Sequence, residues 1–369
     1  MDEREKRSRA QAKKRQMYRR ARRRQRNMRL VAVMAVVLIV AAIGGSFIWN
    51  RYSPSNEKAD LKEYYGLVND EDYAVVINNQ LIEREDGISS CRNIDGQVYL
   101  EYSVIRDYVN KRFYWDSNEN VLLYTLPTGN VSVAVGSKDY TEIMEKMSED
   151  YVILKTEGKT AYIAVPFILQ YTDMDYNAYE NPNRVVITND FHEKTVADLK
   201  RDTAVRCLGG VKSPILTTAK KADIVTVLED EDDWQKIATA DGFIGYVPSS
   251  SLKNMRQVIV DRAFVEPQYT NISVDYTINM AWHNVTSDYS NNFVLETIAG
   301  TKGLTTIAPT WFSVADTEGN INSIASSSYV NYAHQSNLDV WATLRDFDGG
   351  ISSYDETYQL LSYTSHRER

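Results

Sequence analysis

Cysteine is nearly missing from this chain: Cys91 and Cys207 are the only two among 369 residues. They lie far apart, so neither a disulfide framework nor a CxxC metal site is available, and both read as packing residues or free thiols. Histidine is scarce too. His192, His283, His334 and His366 are spread along the second half without ligand-like spacing, so no metal and no cofactor is expected.

A third absence is local. Residues 30–49 (LVAVMAVVLIVAAIGGSFIW) hold 20 residues without a charge, which as a helix span roughly 30 Å of hydrocarbon. This segment is expected to be a single transmembrane helix, with Trp49 at the interface. A cleaved signal peptide competes, but its apolar core is usually about 7–15 residues, and only Gly44-Gly45-Ser46 offers a small-residue cleavage site.

What is present in excess is basic charge at one end. Residues 1–29 carry 14 Lys or Arg and three acids, a net of +11, whereas the whole chain is −8, leaving −19 on the rest. Basic residues resist translocation, so the tail at 1–29 is expected to stay cytoplasmic and the C-terminal domains to lie outside a cell membrane crossed once. Such a tail beside a span meets anionic lipid headgroups more readily than nucleic acid, and no nucleic-acid partner is expected.

Beyond the span, residues 50–72 are polar and read as a stalk. Residues 73–190 contain an internal repeat. GQVYLEYSVIRDYV at 96–109 followed by FYWDSNENVLLYT, and GKTAYIAVPFILQYT at 158–172 followed by NAYENPNRVVITN, share the order strand, short helix, and strand after a polar turn, with a period near 64 residues. This α+β pair resembles the N-terminal domain of copper amine oxidases, a module reused in secreted bacterial proteins. The likeness implies a spacer or wall-contact role and no copper chemistry, since all four His lie outside the repeat.

Residues 198–255 show strand-length apolar runs broken by Gly, Ser-Pro and acidic turns, the pattern of a small β-barrel. Val205-Arg206, Ser213-Pro214-Ile215-Leu216, VTVL at 225–228, Trp234 and GFIGYV at 242–247 resemble a bacterial SH3 domain. The resemblance implies recognition of cell-wall peptide or glycan, with Trp234 and Tyr246 as groove candidates; as the bland alternative both are core and turn residues. The acidic run 229–233 reads as a solvated hairpin tip.

After a linker at 261–271 the pattern changes to a strand at the end of SVDYTINMAWHNV (273–285) and strands at 303–314 and 338–347, with a helical stretch at 323–335, the alternation of a (β/α) barrel. IAPTWF at 307–312, GNI at 319–321, Tyr329-Val with Ala333-His334, and Val340-Trp341-Ala resemble the opening of a glycoside hydrolase family 18 domain, in the branch of spore-cortex and wall-lytic N-acetylglucosaminidases. Residues 272–369 are therefore expected to form the N-terminal part of a TIM-type barrel. The resemblance implies a glycan surface at the strand ends, where Trp311, Phe312, Trp282 and Asp346 are the candidates. Trp341 is expected in the barrel core, and His283 as a hydrogen-bonded residue at a strand end.

That family protonates its leaving group from a Glu in a D-x-x-D-x-D-x-E run on a fourth strand, and no such run exists here: the residues three and five after Asp346 are Gly349 and Ile351. No catalytic residue is carried over. Loss of a positioned proton donor typically costs about 10²- to 10⁴-fold in rate, so this chain, as a truncated form of such an enzyme, is expected to be inactive. The alternative is a non-catalytic wall-binding or scaffolding protein acting through its SH3-like and repeat domains.

Overall fold

The computed structural model describes residues 3–69, 71–83, 88–230, 232–260, 262–271, 273–346 and 349–369. Asp261 of the expected linker, Glu231 of the acidic tip and Asp348 of the loop after the last strand lie outside the described residues. The chain divides into two units: Met1–Leu61 with Glu193–Val258, and Lys62–His192 with Ile259–Arg369.

The first unit begins with a 50-residue helix, Glu3–Tyr52. Its portion Asn27–Tyr52, 26 residues with none buried, is long and apolar enough to cross a membrane, since about 39 Å of helix exceeds roughly 30 Å of hydrocarbon. The rest of the unit is a seven-stranded sheet. Its strands are Lys194–Leu199, Thr203–Arg206, Ile215–Ala219, Ile224–Asp230, Trp234–Ala238, Ile244–Pro248 and Leu252–Val258.

Alternation drives this sheet. Gln235, Ile237, Val247 and Gly245 point inward, while Trp234, Lys236, Ile244 and Tyr246 face out. All seven strands feed one core, through Ala197, Leu199, Val205, Ala219, Val225, Ile237, Val247 and Leu252. Because both edge strands reach the same interior, the sheet curls around it. Gly245 permits the tightest approach: a Cβ there would lie 2.5 Å from the Arg206 carbonyl oxygen.

Part of the expected stalk is ordered against this sheet. Lys58 bridges Ile215 in parallel, with Ser55 N–H donating to Val211 O (2.8 Å), Ile215 N–H to Glu57 O (2.8 Å) and Ala59 N–H to Ile215 O (2.9 Å).

The second unit shows the internal repeat as a pseudo-twofold sheet. Hairpin Cys91–Ile94/Gln97–Glu101 and hairpin Leu154–Glu157/Thr160–Ala164 meet through their second strands, pairing Leu100 with Ile163 and Glu101 with Tyr162. Each inner strand runs into a helical segment, Tyr102–Val104 continued by Ile105–Val109 in one copy and Val165–Tyr171 in the other. Each helical segment leads to another hairpin, Phe113–Asp116/Val121–Leu126 or Asp175–Tyr179/Arg184–Thr188. One apolar core takes Leu100, Ile105, Phe113, Ile163, Phe167, Ile168 and Val185 from both copies.

The copies diverge afterwards. The first hairpin grows into a five-stranded meander by adding Gly129–Ala134, Asp139–Glu142 and Glu145–Ser148. The second instead pairs in parallel with Ala74–Ile77, Val75 opposite Val185.

In the C-terminal part, Met280–His283, Thr306–Pro309 and Asp339–Val340 form a parallel sheet in that order, with helix Ser327–Gln335 preceding the third strand. Among the described residues this sheet has three strands and does not close. The second and third expected strands each break in two. Phe312–Val314 and Leu344–Arg345 form a separate sheet with Ile321–Ser323. The expected barrel-core Trp341 is 39 % exposed; it lies just past the short third strand, with no further strand over it among the described residues.

This region is held to the repeat at both ends. Arg262 pairs with Asp173 (2.9 Å) and Asp175 (2.7 Å), and the Tyr269 hydroxyl donates to Thr125 O (2.8 Å) while Arg112 lies 3.4 Å from its ring centre. At the other end the buried Asp116 carboxylate accepts from Thr364 N–H (2.8 Å) and hydroxyl (2.7 Å), and from the backbone N–H of Asn118 and Glu119. Arg367 completes the contact, 4.8 Å over the Tyr114 ring. The linker at 262–271 is thus an ordered strap with no regular secondary structure.

Candidate functional site

The outward face of the seven-stranded sheet carries the aromatics named from sequence. Trp234 pairs with Pro248 and Tyr246 with Lys236 across two antiparallel strands, which makes Trp234 and Tyr246 diagonal neighbours on one face. Both are half-buried.

The loop at 208–213 closes over them. A Cβ on Gly209 would stand 3.4 Å from Cβ and Cγ of Trp234 and 3.7 Å from Cδ1 of Tyr246, so its backbone rests against both rings. The loop is braced by Leu208 N–H donating to Ser213 Oγ (2.8 Å) and by Arg206, whose Nη1 donates to Ser213 O (2.5 Å) and Nη2 to Ser55 O (3.0 Å). Arg206 is 6 % exposed, and burial lowers its pKa. At the rim, Lys236 pairs with Glu229 at 2.6 Å. An aromatic pair beside a side-chain-free backbone suits a flat or extended ligand that stacks on rings and hydrogen-bonds to exposed amides.

Sequence reasoning named the two aromatics but neither Gly209 beside them nor the bracing hydrogen bonds of Arg206. The Gly209-Gly210 pair was the available signal for the first; the second depends on a partner 151 residues away and left none.

The residues expected on a glycan surface are placed differently from one another. Trp311 is buried at 5 % exposure, its indole N–H donating to Asn291 Oδ1 (2.7 Å) and its ring steeply inclined to that of Tyr329 at 5.0 Å, so little of the ring is open to a ligand. Phe312 is half-buried and packs on the same core. Trp282 is 68 % exposed on the parallel sheet, whereas Asp346, also exposed, follows Leu344–Arg345 on the other sheet. His283 is a hydrogen-bonded strand-end residue, its Nδ1 2.8 Å from the Tyr329 hydroxyl; burial lowers the His283 pKa and raises that of Tyr329. Among the described residues no group of three His, Cys, Asp or Glu is placed to hold a metal ion.

The family model of the bacterial SH3 domain matches residues 209–253, the loop beside the aromatics and most of the sheet. No curated protein matches the chain. Among solved structures, NlpC1 from Trichomonas vaginalis is similar at 14 % identity and a TM-score of 0.16, over 38 % of this chain and 40 % of that one. The chain therefore spans about two fifths of that protein's length, and a likeness at this score carries no argument about fold or activity. The chain is β-rich and multidomain, with a bacterial SH3 domain and one N-terminal apolar helix.

Proposed function

We propose that this protein binds cell-wall material through its SH3 domain while its apolar helix holds it in a membrane. The observation that carries this reading is the SH3 match over 209–253 on a sheet whose outer face sets Gly209 against Trp234 and Tyr246. The partner is a cell-wall peptide or glycan. On this reading the N-terminus is cytoplasmic beside anionic lipid and the acidic remainder lies outside, a topology favoured by the basic residues at 1–29.

Retention of the full chain, in detergent micelles, on purified peptidoglycan tests the reading. Retention well above that of an unrelated membrane-anchored β-barrel protein is expected; equal retention overturns it.

A second reading concerns the C-terminal region. The family 18 resemblance is supported by three parallel strands in chain order with a helix between the second and third. Exposed Trp282 and Asp346 remain its candidate glycan contacts. This reading assigns a relationship and a sugar-facing surface and no catalytic residue among the 369 residues, which hold no D-x-x-D-x-D-x-E run. Hydrolysis of a β-linked N-acetylglucosamine substrate above a heat-killed control would show that the acid had been misplaced.

A further inference from the structure

The apolar helix and the SH3 site are joined by very little chain. The helix ends at Tyr52, and Ser55 already donates its N–H to Val211 O at 2.8 Å. Three steps of backbone cover at most about 11 Å. From there residues 55–59 pair with Val211 in the loop and with Ile215, the first residue of strand Ile215–Ala219 at the edge of the sheet. The pairing uses the backbone groups of Glu57, Ala59 and Ile215, and an edge strand offers such groups to any extended segment that can reach them.

The contact goes beyond covering an edge. Val211, which accepts from Ser55, belongs to the loop whose Gly209 rests on Trp234 and Tyr246. Arg206 ties the same elements a second time, with one guanidinium nitrogen on Ser213 O and the other on Ser55 O. Buried away from water, that guanidinium gains most when both carbonyls are in place, because an unmade hydrogen bond there costs the desolvation of its donor. Loop and juxtamembrane segment are therefore ordered together.

We propose that residues 55–59 are a built-in positioning strand: docked on the edge of the SH3 sheet and clamped by Arg206, they set the Gly209 loop over the Trp234/Tyr246 site. Arg206 is then a positioning residue rather than a ligand contact. The barrel's competence for ligand depends on the residues that leave the apolar helix, and the site is held close to the helix end. The ligand half of this inference rests on the wall-binding reading above; the docked strand does not.

The test uses the full chain in lipid nanodiscs, as wild type, Ala59→Pro, Arg206→Lys and the surface control Lys253→Gln, with two readouts: amide hydrogen exchange and retention on purified peptidoglycan. In the wild type, the N–H groups of Ser55, Ala59 and Ile215 should exchange at least 100-fold more slowly than those of Asn56 and Lys58. Ala59→Pro deletes one donor outside the barrel core, and Arg206→Lys keeps the charge while losing the fork. Each should speed exchange at Ile215 and Ser55 and cut retention at least 10-fold, with barrel-core amides such as Ile237 still protected and Lys253→Gln unchanged.

Exchange at Ala59 and Ile215 as fast as at Asn56 would overturn the docked strand. Accelerated exchange in Ala59→Pro with undiminished retention would overturn the coupling. If the wild type shows protected amides and no retention, the wall-binding reading fails and the coupling with it, while the docked strand stands. Should Arg206→Lys lose core protection as well, Ala59→Pro decides alone.

Discussion

The SH3 sheet and the C-terminal parallel sheet answer the same problem, covering strand edges and apolar faces, in opposite ways. In the first, all seven antiparallel strands share one interior, and one edge is covered by a segment only a few residues past the apolar helix. In the second, three parallel strands of two to four residues leave Trp282 and Trp341 at 68 and 39 % exposure. That region leans on the repeat through Arg262, Tyr269 and Thr364. Antiparallel neighbours close locally, whereas parallel strands need crossovers and remote partners. One region thus organises itself, and the other borrows its order.

The comparison can be broken by mutation. The largest expected effect is Ile237→Ala, which opens a fully buried site and costs about 2–5 kcal/mol. Hydrogen exchange should show that loss across the SH3 sheet while Ile307 and Tyr329 amides stay protected; loss in both regions would mean that they do not order independently. Next is Asp116→Asn, which weakens charge-assisted hydrogen bonds of about 1.5–3 kcal/mol. Amides of helix Tyr354–Ser362 should then exchange faster while Leu100 and Ile163 are unaffected.

The same carboxylate gives a pH signature. Burial opposes its charge, but the hydrogen bonds from the Thr364 hydroxyl and from the Glu119, Thr364 and Asn118 backbone outweigh burial and hold the pKa below its ordinary value. Its contribution is therefore complete above the unfolded-state pKa of about 3.9. It is lost as pH falls through the folded-state value. Protection at Thr364 should be flat from neutrality to about pH 4 and drop below, a drop absent in Asp116→Asn. Arg262→Ala is smaller, about 1 kcal/mol for a partly exposed pair, and should show as faster proteolysis within residues 262–271.

How far the sequence spoke follows the same division. The apolar helix, the pseudo-repeat and the SH3 strands were legible because their signals are local: an uncharged run, a recurring strand-helix-hairpin order, and alternation ended by turn residues. The meander after Val121–Leu126 and the parallel pairing of Val75 with Val185 were not, because neither depends on neighbours in sequence. Trp311 shows the same limit within one residue. An aromatic at a strand end suits sugar stacking, and only the position of Asn291, 20 residues earlier, reveals that the ring is packed and its N–H taken. Arg206 read as part of a strand motif, yet its main partners are two carbonyls on separate segments.

The most direct measurement is peptidoglycan retention by the full-length Trp234→Ala, Tyr246→Ala double variant, with Trp282→Ala beside it. Both side chains face outward, so the double variant should keep its core amide protection and lose at least tenfold in retention, about 1.4 kcal/mol, while Trp282→Ala binds like the wild type. Undiminished retention by the double variant, with the loss appearing instead in Trp282→Ala, would move the wall-binding surface out of the SH3 domain and contradict the account.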